Sequence, residues 1–153
     1  MTDAAAPSIA ELLPATVPMV RTLQLGFGEC TPERAVLTLP DRPEYHNHVG
    51  GPHAGAMFTL AESASGAVVL GAFLDVLDRA TPLPVRAETA WLKLARGPLT
   101  ATAELGRPVA EILAELDAGK RPEFPVSVTT TREDGATTST MTIVWTLRPN
   151  DAG

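Results

Sequence analysis

The sequence predicts an α+β fold, an antiparallel β-sheet accompanying one long helix, and three observations predict it. The stretch Ala54–Leu74, AGAMFTLAESASGAVVLGAFL, is apolar or small nearly throughout and holds a single charge, Glu62. Five or six other stretches alternate apolar and polar residues with the period of strands. Short turn-forming segments separate most of them, so the strands group in hairpins, and hairpins make antiparallel sheets.

Taken in order, residues 1–7 are small and polar and lack the positive stretch and apolar run of a signal peptide. Ser8 caps a short helix through Leu13, with Glu11 at the capping-box position, and Pro14 and Pro18 stop it. Leu23, Leu25 and Phe27 alternate as a strand, and a turn at Thr31–Glu33 leads to a second strand, Ala35–Leu39. Asp41–Pro52, with its prolines, glycines and Asn47, is a loop. Ala54–Leu74 is long enough to be read two ways. A membrane span needs ~20 apolar residues. However, Thr59, Ser63, Ser65, Gly66 and Gly71 dilute the apolarity, and no Lys or Arg flanks the stretch. A helix buried in a soluble fold accounts for the same residues, because small side chains let a sheet approach closely. A turn at Thr81–Pro84 precedes the strands Val85–Leu94 and Leu99–Leu105. Helical spacing of Val109, Ile112, Leu113 and Leu116 then interrupts the rhythm, with Gly119 as its stop. Strands Glu123–Arg132 and Thr137–Leu147 follow. Trp91 and Trp145 each lie on an alternating apolar face as core or interface anchors, and Cys30 reads as a small core or strand residue.

The 153 residues suggest one domain over 1–153, divided into an N-terminal extension with a short helix, 1–19, and a core, 20–148. Twelve Lys and Arg against eighteen Asp and Glu give a net charge of −6. Nucleic-acid binding requires a basic footprint that this composition lacks. One cysteine and no Cys/His cluster suggest neither a disulfide nor a metal site, and no cofactor motif is present. The expectation is a cytoplasmic protein with no membrane and no nucleic-acid partner.

Glu62 is the leading candidate for chemistry. No Lys or Arg lies one helical turn away, since positions 58, 59, 65 and 66 are Phe, Thr, Ser and Gly. An unpaired carboxylate on an apolar helix is structurally expensive, and burial raises its pKa. The competing account puts Glu62 on an exposed stripe with Thr59, Ser63 and Ser65. The helix start offers a second element: His53-Ala54-Gly55 follows Gly-Gly-Pro, so small residues surround free backbone N–H groups that can hold an anion or a developing oxyanion. Ala54 and Glu62 are eight residues apart, ~12 Å along a helix. One small reacting group cannot touch both within a single helix. Shared chemistry therefore demands two copies of the helix, and so a homodimer with composite sites.

The pattern Asn47-x5-His53-Ala54-Gly55-x6-Glu62, followed by an apolar helix and hairpin strands, resembles that of acyl-CoA thioesterases of the hotdog fold, of the phenylacetate-pathway (PaaI-like) type. Their pattern is Asn-x5-His-Gly-Gly-x6-Asp/Glu, and the similarity covers roughly residues 20–148. The resemblance implies a sheet wrapped around the long helix and two subunits joined edge to edge, a homodimer that pairs into a homotetramer in some arrangements. It implies hydrolysis of an acyl-CoA or acyl-carrier thioester, with Glu62 as general base or nucleophile. The N–H groups of Ala54 and Gly55 in the opposing subunit would polarise the carbonyl, Asn47 would orient carbonyl or water, and His53 would shape the helix entry. Two departures stand out. Ala54 occupies the place of the family's first Gly, and the stretch Leu83–Arg86, where some relatives carry a water-binding hydroxyl, has none; Thr81 is the nearest. Lys93 and Arg96, near the end of their strand, could meet a CoA phosphate or serve as solvated surface charge.

Two other functions remain open at this level. His48, fourteen residues before Glu62, resembles the His…Glu pair of hydroxyacyl-thioester dehydratases and hydratases, although Ala56-Met57 stands where their Pro-Gly would be. A non-catalytic acyl-thioester or lipid-binding module would equally explain Ala54 and the missing hydroxyl.

Overall fold

A computed structural model describes residues 6–151; the reading of the first five residues lies outside the described residues. The N-terminal segment forms two short helices, α1 (Ile9–Thr16) and α2 (Pro18–Thr22). The Glu11 carboxylate accepts the Ser8 amide at 2.9 Å and sits below its ordinary pKa on that account. Pro14 does not end α1 as expected. The helix closes one turn later, where the Val17 amide reaches the Leu13 carbonyl at 2.9 Å, and Pro18 then opens α2 at a position that needs no N–H. The alternation at Leu23 and Leu25 is also misleading. The Leu25 amide bonds back to Val20, so β1 begins only at Gly26 and runs to Cys30.

Strand β2 (Arg34–Leu39) precedes the loop, and α3 spans Ala54–Phe73. The remaining elements are β3 (Ala80–Trp91), β4 (Leu99–Leu105), α4 (Val109–Asp117), β5 (Glu123–Arg132) and β6 (Thr137–Pro149). All strand pairs are antiparallel, in the order β1-β2-β4-β5-β6-β3. Residues 81–84, expected as a turn, are the start of β3, paired from Ala80 with Pro149 onward. β3 is an edge strand, so Pro82 and Pro84 can place their missing N–H toward the open side, and a bulge between Pro84 and Arg86 shifts the register by one residue.

The sheet packs its inner face on α3, chiefly through β2, β4 and β5. Ala35, Ala101 and Ala103 on the strands and Ala61, Ala64 and Ala67 on the helix are buried, and these small side chains allow the close approach. By length and composition α3 could cross a bilayer; here it lies within the fold, and the buried-helix reading holds. Trp145 is buried as expected, whereas Trp91, near the end of the edge strand, is 55% exposed.

Candidate functional site

The loop after β2 is built to deliver α3. The Asn47 Oδ1 accepts the amides of Val49 (3.0 Å) and Gly51 (3.3 Å), and its Nδ2 donates to the Pro52 carbonyl at 3.3 Å. One Nδ2 hydrogen is all that remains for anything else. Gly51 is obligatory, since a Cβ there would stand 2.3 Å from the Ala95 carbonyl oxygen. That close approach lays the segment after β3 against the loop and leaves a cavity of about 380 Å³ at the start of α3. Asn47, Ala54 and Lys93 line it together, with Met57 and Trp91.

His53 is the N-cap of α3. Its Nδ1 accepts the Gly55 amide at 2.8 Å, which requires the proton on Nε2, and its own amide donates to the Tyr45 carbonyl. The Gly55 N–H is therefore occupied. The Met57 amide is likewise held, by the His53 carbonyl at 3.0 Å. Among the described residues the amides of Ala54 and Ala56 have no acceptor, and they carry the positive end of the helix dipole.

Glu62 lies two turns further on and faces a different cavity of about 230 Å³, lined also by Ser63, Gly66 and Trp145. Its half-buried carboxylate has no hydrogen bond or ion pair among the described residues, and burial raises its pKa above the ordinary value. The turn that carries it is tethered. Trp145 Nε1 donates to Ser65 Oγ at 3.0 Å, and that hydroxyl donates to the Glu62 carbonyl at 2.6 Å.

The other sequence candidates lie apart. Thr81 alternates to the face opposite Pro82, which lines the Glu62 cavity, and its hydroxyl bonds the Asn150 side chain at 2.6 Å. His48 is exposed on the loop and lines neither cavity; Arg96 borders a shallow depression with Arg132, Glu133 and Asp134. Sequence reasoning missed the far wall of the Glu62 cavity, made by Leu13, Val17 and Val20 of the α1–α2 segment. Their i, i+4, i+7 spacing was a usable signal, masked by the prolines between them.

A family model described as a domain of unknown function, DUF4442, matches residues 7–147. The chain belongs to the DUF4442 family. No curated protein matches it. This DUF4442 chain is similar in structure to a Pseudomonas aeruginosa protein of unknown function described as a "probable thioesterase", at TM-score 0.81 and 23% identity, over 93% of this chain and 94% of that one. A thioesterase family protein from Silicibacter pomeroyi aligns at TM-score 0.71 and 24% identity, over 89% and 93%. A Staphylococcus aureus thioesterase aligns at 0.72 and 19%, over 87% and 100%. At these identities the likeness establishes the fold: this DUF4442 chain is a hotdog, its six-stranded antiparallel sheet wrapped on α3.

Proposed function

We propose that a homodimer of this chain hydrolyses acyl thioesters, of CoA or of an acyl carrier, at sites composed from both subunits. The observation that carries the reading is the Glu62 carboxylate, unpaired, half-buried and facing an apolar cavity. Such a group is maintained against a desolvation penalty and is basic enough to take a proton from water. Glu62 of one subunit abstracts the proton, and the resulting hydroxide attacks the thioester carbonyl carbon. The Ala54 N–H at the start of the other subunit's α3 stabilises the oxyanion, joined by the free Nδ2 hydrogen of Asn47. Collapse breaks the C–S bond, and the thiolate takes the proton back. Lys93, exposed at the rim of the Asn47–Ala54 cavity, suits the phosphates of the CoA moiety. Dimerisation has a natural edge in β3, whose outer side has no neighbouring strand among the described residues and which exposes Val85 and Trp91, with Leu92 and Leu94 just beyond it.

The test is free-thiol release from a panel of acyl-CoAs by the wild-type protein and by Glu62→Gln. Loss of ~10²–10⁴ in rate is the expected result; equal rates in the two proteins remove Glu62 from the mechanism. One observation favours a second reading, an acyl-thioester-binding module without turnover: the Gly55 amide is taken by His53, so the helix start offers fewer free donors than its sequence suggests. Tight acyl-CoA binding with no thiol release decides for that reading.

A further inference from the structure

The cavity that receives Glu62 has one polar end. Glu62 and Ser63 supply it; the Thr16 hydroxyl, which also borders the space, turns back to the Leu12 carbonyl at 2.9 Å. From Glu62 to Leu70 the α3 wall runs two turns, ~12 Å at 1.5 Å per residue. Along it stand Gly66, Val69 and Leu70, and opposite them Leu13, Val17 and Val20 of α1 and α2. The space is therefore a short slot with a carboxylate at one end and hydrocarbon at the other, the polarity of an acyl group laid carbonyl-first against Glu62. Among the described residues no Lys or Arg borders it, so an ω-carboxylate at the apolar end would be an unpaired buried charge.

We infer that α1 and α2 close an acyl pocket over Glu62 and restrict the substrate to uncharged acyl groups of roughly six to eight carbons, since 230 Å³ is about half as large again as a 150 Å³ cavity that takes benzene. The inference rests on the thioesterase reading above and adds the acyl class and its ruler. Val17, on the connection between the two helices and 37% exposed, is the wall residue that can be enlarged with least disturbance to the core.

The experiment measures kcat/KM for straight-chain acyl-CoAs from acetyl to palmitoyl, for adipoyl-CoA, and for Val17→Phe on the same panel. The expected maximum lies at hexanoyl to octanoyl, with palmitoyl and adipoyl down by about tenfold or more and the octanoyl-to-butyryl ratio lowered about tenfold by Val17→Phe. A second readout needs no turnover. In a Trp91→Phe chain the remaining tryptophan, Trp145, borders the pocket, and binding of octanamide, an uncharged acyl analogue, shifts its emission while Val17→Phe weakens that binding about tenfold. Octanamide binding without any thiol release from acyl-CoAs refutes hydrolysis and upholds the pocket. Hydrolysis that is fastest on palmitoyl-CoA, a ratio untouched by Val17→Phe, or Trp145 emission unmoved by octanamide overturns the pocket.

Discussion

Two damaged chains should repair one another if the site is shared across a two-fold axis. Glu62→Gln removes the base, and Ala54→Pro removes the N–H at the first helical position. Proline is well tolerated there, and His53 before it already holds φ −61°, ψ 142°, the extended conformation that a following proline requires. Alone, the first should lower kcat by ~10²–10⁴ and the second by ~10²–10³. Co-refolded in equal amounts, half of the dimers are mixed, and each mixed dimer contains one site with both lesions and one with neither. Thiol release should therefore recover to about a quarter of the wild-type rate, far above either variant by itself. The expectation follows from geometry: Ala54 and Glu62 lie ~12 Å apart on one helix and open into separate cavities. Co-refolded protein no more active than the separate variants would place both groups in one chain's site, or neither in any, and the composite mechanism would be wrong.

Other predictions concern stability and pH. Burial holds the Glu62 carboxyl above its ordinary value, so the folded chain keeps a proton that the unfolded chain has lost. Stability then falls as pH rises from the ordinary carboxylate value through the folded one. Glu62→Gln should accordingly be more stable than wild type at neutral pH and equal to it below the ordinary carboxylate range, as urea midpoints across pH will show. Ser65→Ala leaves the buried Trp145 N–H without an acceptor, a penalty of ~1–3 kcal/mol, offset by a helix-propensity gain below ~0.7 kcal/mol. The net loss should be about 1–2 kcal/mol by urea denaturation, smaller when Trp145→Phe is already present because the orphaned donor is gone. Gly66→Ala places a Cβ no closer than 3.8 Å to the Trp145 ring and should stabilise by ~0.5–1 kcal/mol, raising Tm by roughly 2–4 °C per kcal/mol.

Much of this was legible in the sequence because the signals were local. Strand alternation and a 20-residue small-and-apolar helix are properties of contiguous residues, and they gave the sheet, α3 and the isolation of Glu62. What was not legible depended on which element lies beside which. Prolines at 82 and 84 read as a turn until β3 is known to be an edge strand, where a missing N–H costs little. Thr81 looked the nearest hydroxyl to the site, yet the pleat turns it away toward Asn150. The N-terminal helices looked like an appendage because prolines mask the spacing of Leu13, Val17 and Val20, and that spacing says only that they share a face, not that the face meets Glu62 across a cavity. At the helix start the residue types were right, but the choice of free amide was not readable: a histidine cap on Gly55 transfers the open positions to Ala54 and Ala56.

The reason one helix supplies both halves of the proposed site lies in its packing. Alanines on both α3 and the central strands draw helix and sheet together until almost every polar group of the helix is either internally bonded or excluded. Two places escape: the first turn, where amides lack helical acceptors, and the stripe through Glu62, where the thin α1–α2 segment, with Pro82 and Trp145, leaves a cavity over the helix. A rigid rod keeps these places a fixed distance apart, too far for one carbonyl to reach both. A second, antiparallel rod removes the difficulty at once, because a two-fold axis that brings one first turn to one carboxylate necessarily brings the other pair together as well. Close packing of small residues thus leads, through the pitch of the helix, to the proposal of a site that a single chain cannot complete.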